Sequence, residues 1–161
     1  MSIPKRLGVE VIKMFKDNYC FALKIPAGTG NDHGNYLLID PADSTHPRIE
    51  TLIRKTTEIW TTHHHLDHCA ANKKLKSVNP KIVVYGADSR IVGLDHFLKD
   101  GQVRSLGGDL TMTTIHTPGH TMGAACFYVN STRHLLEDEQ QLLFTGDTLF
   151  VGGVSIDQVF E

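Results

Sequence analysis

No apolar run in this chain approaches the roughly 18 residues that a membrane-spanning helix needs. The start, Met1-Ser2-Ile3-Pro4-Lys5-Arg6, has no apolar stretch behind its charges that would make a secretory signal. Neither sign of charge is in excess: 16 Lys+Arg stand against 18 Asp+Glu, a formal charge of -2. A basic nucleic-acid arm and an acidic tail are therefore excluded, and neither nucleic acid nor membrane is expected as a partner. Only three cysteines occur, Cys20, Cys69 and Cys126, an odd number at wide spacings. That argues against a disulfide framework and for reduced thiols in a cytoplasmic protein. Internal repeats, low-complexity tracts and a convincing interdomain linker are also missing, so residues 1–161 are read as one domain.

What is present in excess is histidine. Of ten, four (His63, His64, His65 and His68) fall within six positions. Around them, residues 8–15, 19–25 and 35–40 alternate or run apolar over strand lengths, with turn chemistry at Gly28-Thr29-Gly30-Asn31-Asp32. This opening predicts an antiparallel meander. His46 to Lys55 carries Ile49, Leu52 and Ile53 at helical spacing, Glu58 to Thr62 reads as a strand, and residues 69–77 suit a helix. Further strands are predicted over Lys81 to Tyr85, Val103 to Leu106, Leu110 to His116, Ala125 to Val129 and Leu142 to Thr145, with a polar stretch from Asn130 to Gln141. Strands, a strand–helix–strand segment and more strands imply a mixed α/β (α+β) architecture with sheets covered by helices.

The histidine cluster begins where a predicted strand ends. His63, His65 and Asp67 occupy i, i+2 and i+4, so in an extended loop their side chains project to one side, with His68 following at the start of the next helix. Zn²⁺ favours such nitrogen and oxygen donors, and iron or manganese also use them. His64 points the other way, as a packing residue or one that supports a ligand. Two later segments offer more ligands: the turn Thr117-Pro118-Gly119-His120-Thr121, and Leu142-Leu143-Phe144-Thr145-Gly146-Asp147, which delivers an acid at a strand end. Taken singly, His120 could equally be a turn histidine and Asp147 a cap acid. The three cysteines read as small apolar fillers, since no catalytic pairing is visible.

These residues resemble the metallo-β-lactamase superfamily and, within it, the glyoxalase II (hydroxyacylglutathione hydrolase) branch. The resemblance is carried by Thr62-His63-His64-His65-Leu66-Asp67-His68, by His116-Thr117-Pro118-Gly119-His120-Thr121 and by Phe144-Thr145-Gly146-Asp147-Thr148-Leu149-Phe150-Val151-Gly152-Gly153. Asp17-Asn18-Tyr19 and Tyr36-Leu37-Leu38-Ile39-Asp40-Pro41 support it. It implies an αββα sandwich and two metals, expected to be zinc: His63, His65 and His120 on the first, Asp67 and His68 on the second, and Asp147 bridging. A hydroxide between the metals would attack the thioester of S-D-lactoylglutathione, giving D-lactate and glutathione, with Asp67 orienting the water. Asp40 would hold a ligand imidazole or simply cap a strand.

The chain also departs from that pattern. A histidine downstream of the bridging aspartate is expected to complete the second site, yet no His follows His134, in an acidic loop. The Gly-Cys-Gly and basic residue expected after the TGDTLF segment are replaced by Gly153 to Glu161, and no Lys or Arg follows Arg133. The last strand and helices of the sandwich and the glutathione-binding helical domain have no counterpart, so the sequence reads as truncated at its C-terminus, with impaired turnover. Two alternatives stand beside thioester hydrolysis. One is a persulfide dioxygenase-like enzyme with one iron on His63, His120 and Asp147; the other is a metal-binding remnant without turnover.

Overall fold

The structure is a computed structural model, described here for residues 8–25, 35–131 and 141–154. The expected turn at Gly28 to Asp32, His134 with its acidic loop, and Ser155 to Glu161 lie outside the described residues.

The chain opens as predicted. β1 (Val9–Lys13), β2 (Tyr19–Lys24) and β3 (Tyr36–Ile39) pair antiparallel in sequence order. α1 (Pro47–Leu52), with Pro at its first turn and a 3-10 turn (Ile53–Lys55) behind it, leads into β4 (Thr56–Thr61), which pairs parallel to β3. The helix predicted over 69–77 is instead two: α2 (Leu66–Cys69) and α3 (Asn72–Val78). The buried Asn72 at the start of the second donates from its amide to Thr61 Oγ1 at 3.1 Å, tying that helix to the end of β4. β5 (Val83–Gly86) starts later than expected because the Asn79 side chain accepts the Lys81 N–H and holds a turn there. The two-residue β6 (His96–Phe97), too short to leave a periodic signal, closes a sheet ordered β1-β2-β3-β4-β5-β6.

The second sheet is antiparallel, ordered β10-β9-β8-β7, from β7 (Val103–Gly107), β8 (Leu110–His116), β9 (Ala125–Ser131) and β10 (Leu142–Phe144). A small hairpin of β11 (Leu149–Phe150) and β12 (Gly153–Val154) follows. Alternation along the first sheet's strands fills two cores. Leu37, Ile39 and Trp60 face the second sheet, where they meet Met112, Phe127 and Phe144. Leu38, Ile59 and Val84 face Ile49, Leu52 and Leu75 of the helices. The described residues thus supply three layers, helices then sheet then sheet. Val103, Ile115 and Leu143, on the other side of the second sheet, are exposed.

This layering aims three loops at one end of the sandwich. β8 and β10 both pair antiparallel to β9 and therefore run in one direction. A backbone bond from Ala125 N to Thr62 O at 3.0 Å ties the start of β9 to the end of β4. The segments that leave β4, β8 and β10 consequently meet.

Candidate metal centre

Thr62, the first residue beyond β4, is anchored from two directions. Its N–H donates to Asp40 Oδ1 at 2.8 Å and its hydroxyl donates to Asp40 Oδ2 at 2.7 Å. Asp40 ends β3 with φ at 53°, a left-handed backbone that aspartate tolerates better than most residues. This anchor fixes the exit of the chain into the histidine cluster. His63, 1% exposed and on the bend that leaves β4, and His65, whose backbone is extended, bring their imidazoles together. Asp67 departs from the expectation, because α2 has already begun at Leu66 and it arrives on a helical turn, with its side chain half-exposed.

Three imidazoles converge. His65 Nδ1 lies 3.1 Å from His63 Nε2 and 2.9 Å from His120 Nε2. A single ring nitrogen engages only one of two such neighbours at a time, as donor or as acceptor, and His120 Nε2 also has Asp147 Oδ2 3.4 Å away. A divalent ion satisfies them together: ligands at about 2.0–2.1 Å in a tetrahedron sit about 3.3 Å apart. The donor set therefore fits a metal that prefers imidazole and carboxylate. A second group, His63, His68 and Asp147, also has its ligand atoms within 4.8 Å of one another. Asp147 faces both groups: Oδ1 is 3.3 Å from His68 Nε2, and Oδ2 is 3.4 Å from His120 Nε2. Asp67 Oδ2 stands 3.8 Å from His68 Nε2, at the rim of the second group.

Burial and charge sort these groups electrostatically. His63 is held far below its ordinary pKa, first by burial and then by the neighbouring imidazoles, so its lone pair is free for a ligand. His120 is lowered for the same first reason. Burial opposes a charge on His68 too, but the carboxylates of Asp40 and Asp147 outweigh it and raise that imidazole to about 10. Asp147 is held below the usual carboxylate range, burial notwithstanding, by its contact with His68 and the charges of the other imidazoles. His68 Nδ1 is 3.0 Å from Asp40 Oδ2, which leaves Nε2 directed at Asp147. Of the two readings of Asp40, the buried carboxylate acts as the holder of an imidazole as well as the end of a strand.

The remaining residues fall outside the centre. His64 turns away, with Nδ1 3.2 Å from Asp88 Oδ2. His116 Nε2 lies 3.2 Å from the Leu98 carbonyl oxygen. All three cysteines are buried and free, and burial pushes the Cys20 and Cys69 thiols up, away from reactivity. Two contributors were not anticipated as site residues. Thr62 was visible only as the first letter of the histidine motif, and Asn18, whose amide reaches Asp67 and His68, only as part of Asp17-Asn18-Tyr19.

Asp147 reaches the cluster on a 3-10 turn (Gly146–Thr148) whose first residue has φ at 49°. A Cβ on Gly146 would stand 2.5 Å from Thr62 Oγ1 and 2.7 Å from Thr62 Cβ. Gly146→Ala combines left-handed strain of about 1–3 kcal/mol with a clash of about 1–3 kcal/mol against the residue that Asp40 holds in place. The expected outcome is a lower thermal midpoint together with weakened metal uptake. A variant that matches the parent in both overturns the close approach.

Comparison with known proteins places this geometry. The pattern of the metallo-beta-lactamase superfamily matches residues 27–159. A cytoplasmic hydroxyacylglutathione hydrolase of Arabidopsis thaliana is 35% identical over 145 residues, 88% of this chain and 53% of the relative. A hydroxyacylglutathione hydrolase of Salmonella typhi is 33% identical over 152 residues, 91% of this chain and 53% of the relative. The chain thus spans about half the length of these curated relatives. Among solved structures, ETHE1 from Myxococcus xanthus superposes with a TM-score of 0.67 at 22% identity, covering 92% of this chain and 61% of that one. A metallo-beta-lactamase from Staphylococcus aureus gives 0.66 at 19% identity, covering 91% and 45%. Sandwich topology, the cluster at one end of it and a match over most of the sequence agree, and the chain belongs to the metallo-β-lactamase superfamily.

Proposed function

We propose that residues 1–161 form a metallo-β-lactamase-like domain that serves a glyoxalase II-type thioester hydrolase, acting on S-D-lactoylglutathione in the cytoplasm as a step of methylglyoxal detoxification. The observation that carries this reading is the convergence of His63, His65, His68, His120 and Asp147 from three loops onto one end of the sandwich. The hydroxyacylglutathione hydrolases among its relatives favour that substrate class over others. His63, His65 and His120 would hold a first zinc, Asp67 and His68 a second, and Asp147 would reach both; iron or manganese suits the same donors. Such metals supply Lewis acidity, polarising the carbonyl and bringing the pKa of water toward neutrality.

The chain's own residues do the placing. Asp40 holds His68 with Nε2 turned inward. Asp67, at the rim, accepts a hydrogen bond from the attacking water and aims its lone pair at the carbonyl carbon. As the water oxygen adds, the C–S bond breaks; one water proton ends on the glutathione sulfur and the other is released when the lactic acid ionises. The test pairs elemental analysis with thiol release from S-D-lactoylglutathione, on chain as purified, stripped by chelator and reloaded. The expected result is at least one zinc, iron or manganese per chain and hydrolysis that disappears and returns with it. Thiol release that ignores the metal overturns the reading. One iron per chain with oxygen uptake on glutathione persulfide assigns the dioxygenase chemistry instead, and metal without either reaction leaves a binding remnant.

A further inference from the structure

The turn between β1 and β2 reaches the metal centre from about fifty residues upstream. Asn18, half-buried at the end of that turn, places its Nδ2 2.8 Å from Asp67 Oδ2, 3.1 Å from the Asp67 backbone oxygen and 3.1 Å from His68 Nε2. The amide cannot be turned round, because its carbonyl oxygen would then face the Asp67 carboxylate. Nδ2 carries two protons, and the two Asp67 oxygens can take both, since His68 Nε2 is itself turned to Asp147. When His68 Nε2 is given over to a metal, both protons remain for Asp67, one for the carboxylate and one for the backbone. Asn18 therefore suits the metal-bound arrangement without moving.

Asp67 has need of such a clamp. It sits in a four-residue helix with its side chain 51% exposed, and no other hydrogen bond to its carboxylate forms among the described residues. Left alone, that side chain samples its rotamers in water. We propose that Asn18 is a positioning residue for the second metal: by fixing the Asp67 carboxylate beside His68 it sets the affinity of the Asp67/His68 side of the centre, without acting on the His63/His65/His120 side. This inference rests on the metal reading given above. The turn itself does not depend on the side chain, since Met14 N donates to the Asn18 backbone oxygen at 2.9 Å.

The test is a cobalt(II) titration of the whole chain, followed by absorbance against a competing chelator, for parent, Asn18→Ala and the near-isosteric Asn18→Leu. Thermal midpoints of the metal-free proteins accompany it. The parent is expected to take up two equivalents, the second more weakly. In both variants the first equivalent should be unchanged and the second weakened about 10–100-fold, the usual effect of losing a group that orients a ligand, with metal-free midpoints equal to the parent's. If Asn18→Ala fails to fold, Asn18→Leu decides. An unchanged second equivalent, or both equivalents weakened alike, overturns the proposal. A parent that takes up one equivalent also overturns it, while a parent that takes up none overturns the metal reading as well.

Discussion

His63→Ala is expected to strip the His63/His65/His120 position and to loosen the Asp67/His68 position beside it, whereas His120→Ala should strip the first alone. His63 is a ligand of the first position only, since one ring nitrogen takes one metal, but its ring is packed between those of His65, His68 and His120 with centroids 4.1–4.7 Å away, so it also walls the second. If about 10–16 kcal/mol of zinc affinity is shared by four ligands, each is worth about 3 kcal/mol, or about 100-fold at 1.4 kcal/mol per decade. Loss of His63 should therefore weaken the first site at least about 100-fold, and the second, which loses a packing partner and not a ligand, by less. His120→Ala removes a ligand from His63/His65/His120 but leaves His63, His68 and Asp147 in place. Elemental analysis after dialysis against a mild chelator should find less metal in the first variant than in the second, which keeps a residual, exchangeable fraction. Full metal content in His63→Ala would sink the ligand assignment, and equal loss in both would sink the packing role of His63 at the second position.

Asp40→Asn should leave the sandwich standing and disable His68. The carboxylate is 3% exposed and serves three partners: Thr62 N–H, Thr62 Oγ1 and His68 Nδ1. Asparagine fits the same left-handed backbone and can still accept the Thr62 N–H through its oxygen. Its amide then faces His68 Nδ1 as a donor where an acceptor stood. The imidazole answers by giving up its Nδ1 proton and keeping the one on Nε2, the atom that should receive the metal. A wrong tautomer costs affinity while leaving the backbone alone, so the second metal should weaken about 10–100-fold. Asp40→Ala is a different experiment. It orphans the buried Thr62 N–H, a loss of about 1–3 kcal/mol, leaves the Thr62 hydroxyl only His63 Nδ1 at 3.1 Å and leaves His68 one carboxylate, Asp147, where it had two, so a fall in thermal midpoint should accompany the metal defect. Equal metal affinity in Asp40→Asn and parent would show that Asp40 only ends its strand.

Much of the fold was legible because its strands alternate. Residues 110–116 bury Leu110, Met112 and Thr114 on one side, a period-two pattern between turn residues that can be read directly. The break between α2 and α3 was not legible, since Ala70 and Ala71 are good helix formers and the segment is interrupted by a contact from Asn72 to Thr61 eleven residues away. Asp67 was misplaced for a related reason. Alternation holds only while the backbone is extended, and α2 begins one residue before it.

The site divides along the same line. Donor chemistry is local: imidazoles two residues apart after a strand, a histidine after Pro-Gly and an acid after Thr-Gly are properties of short segments, and the sequence alone singled them out as metal-binding candidates. Their convergence is not local. It required β4 to pair between β3 and β5 in one sheet, β8 and β10 to flank β9 in the other, and Ala125 to bond Thr62 across them. Only these pairings bring Asp40 within 3.0 Å of His68, His120 within 2.9 Å of His65, and Asn18 within 2.8 Å of Asp67. Each contact spans tens of residues, and closing such loops costs entropy that the packed cores repay, not the site residues themselves. Which residues can bind a metal was therefore written in the chain, while which of them share one, and what holds them there, was decided by the packing of the two sheets.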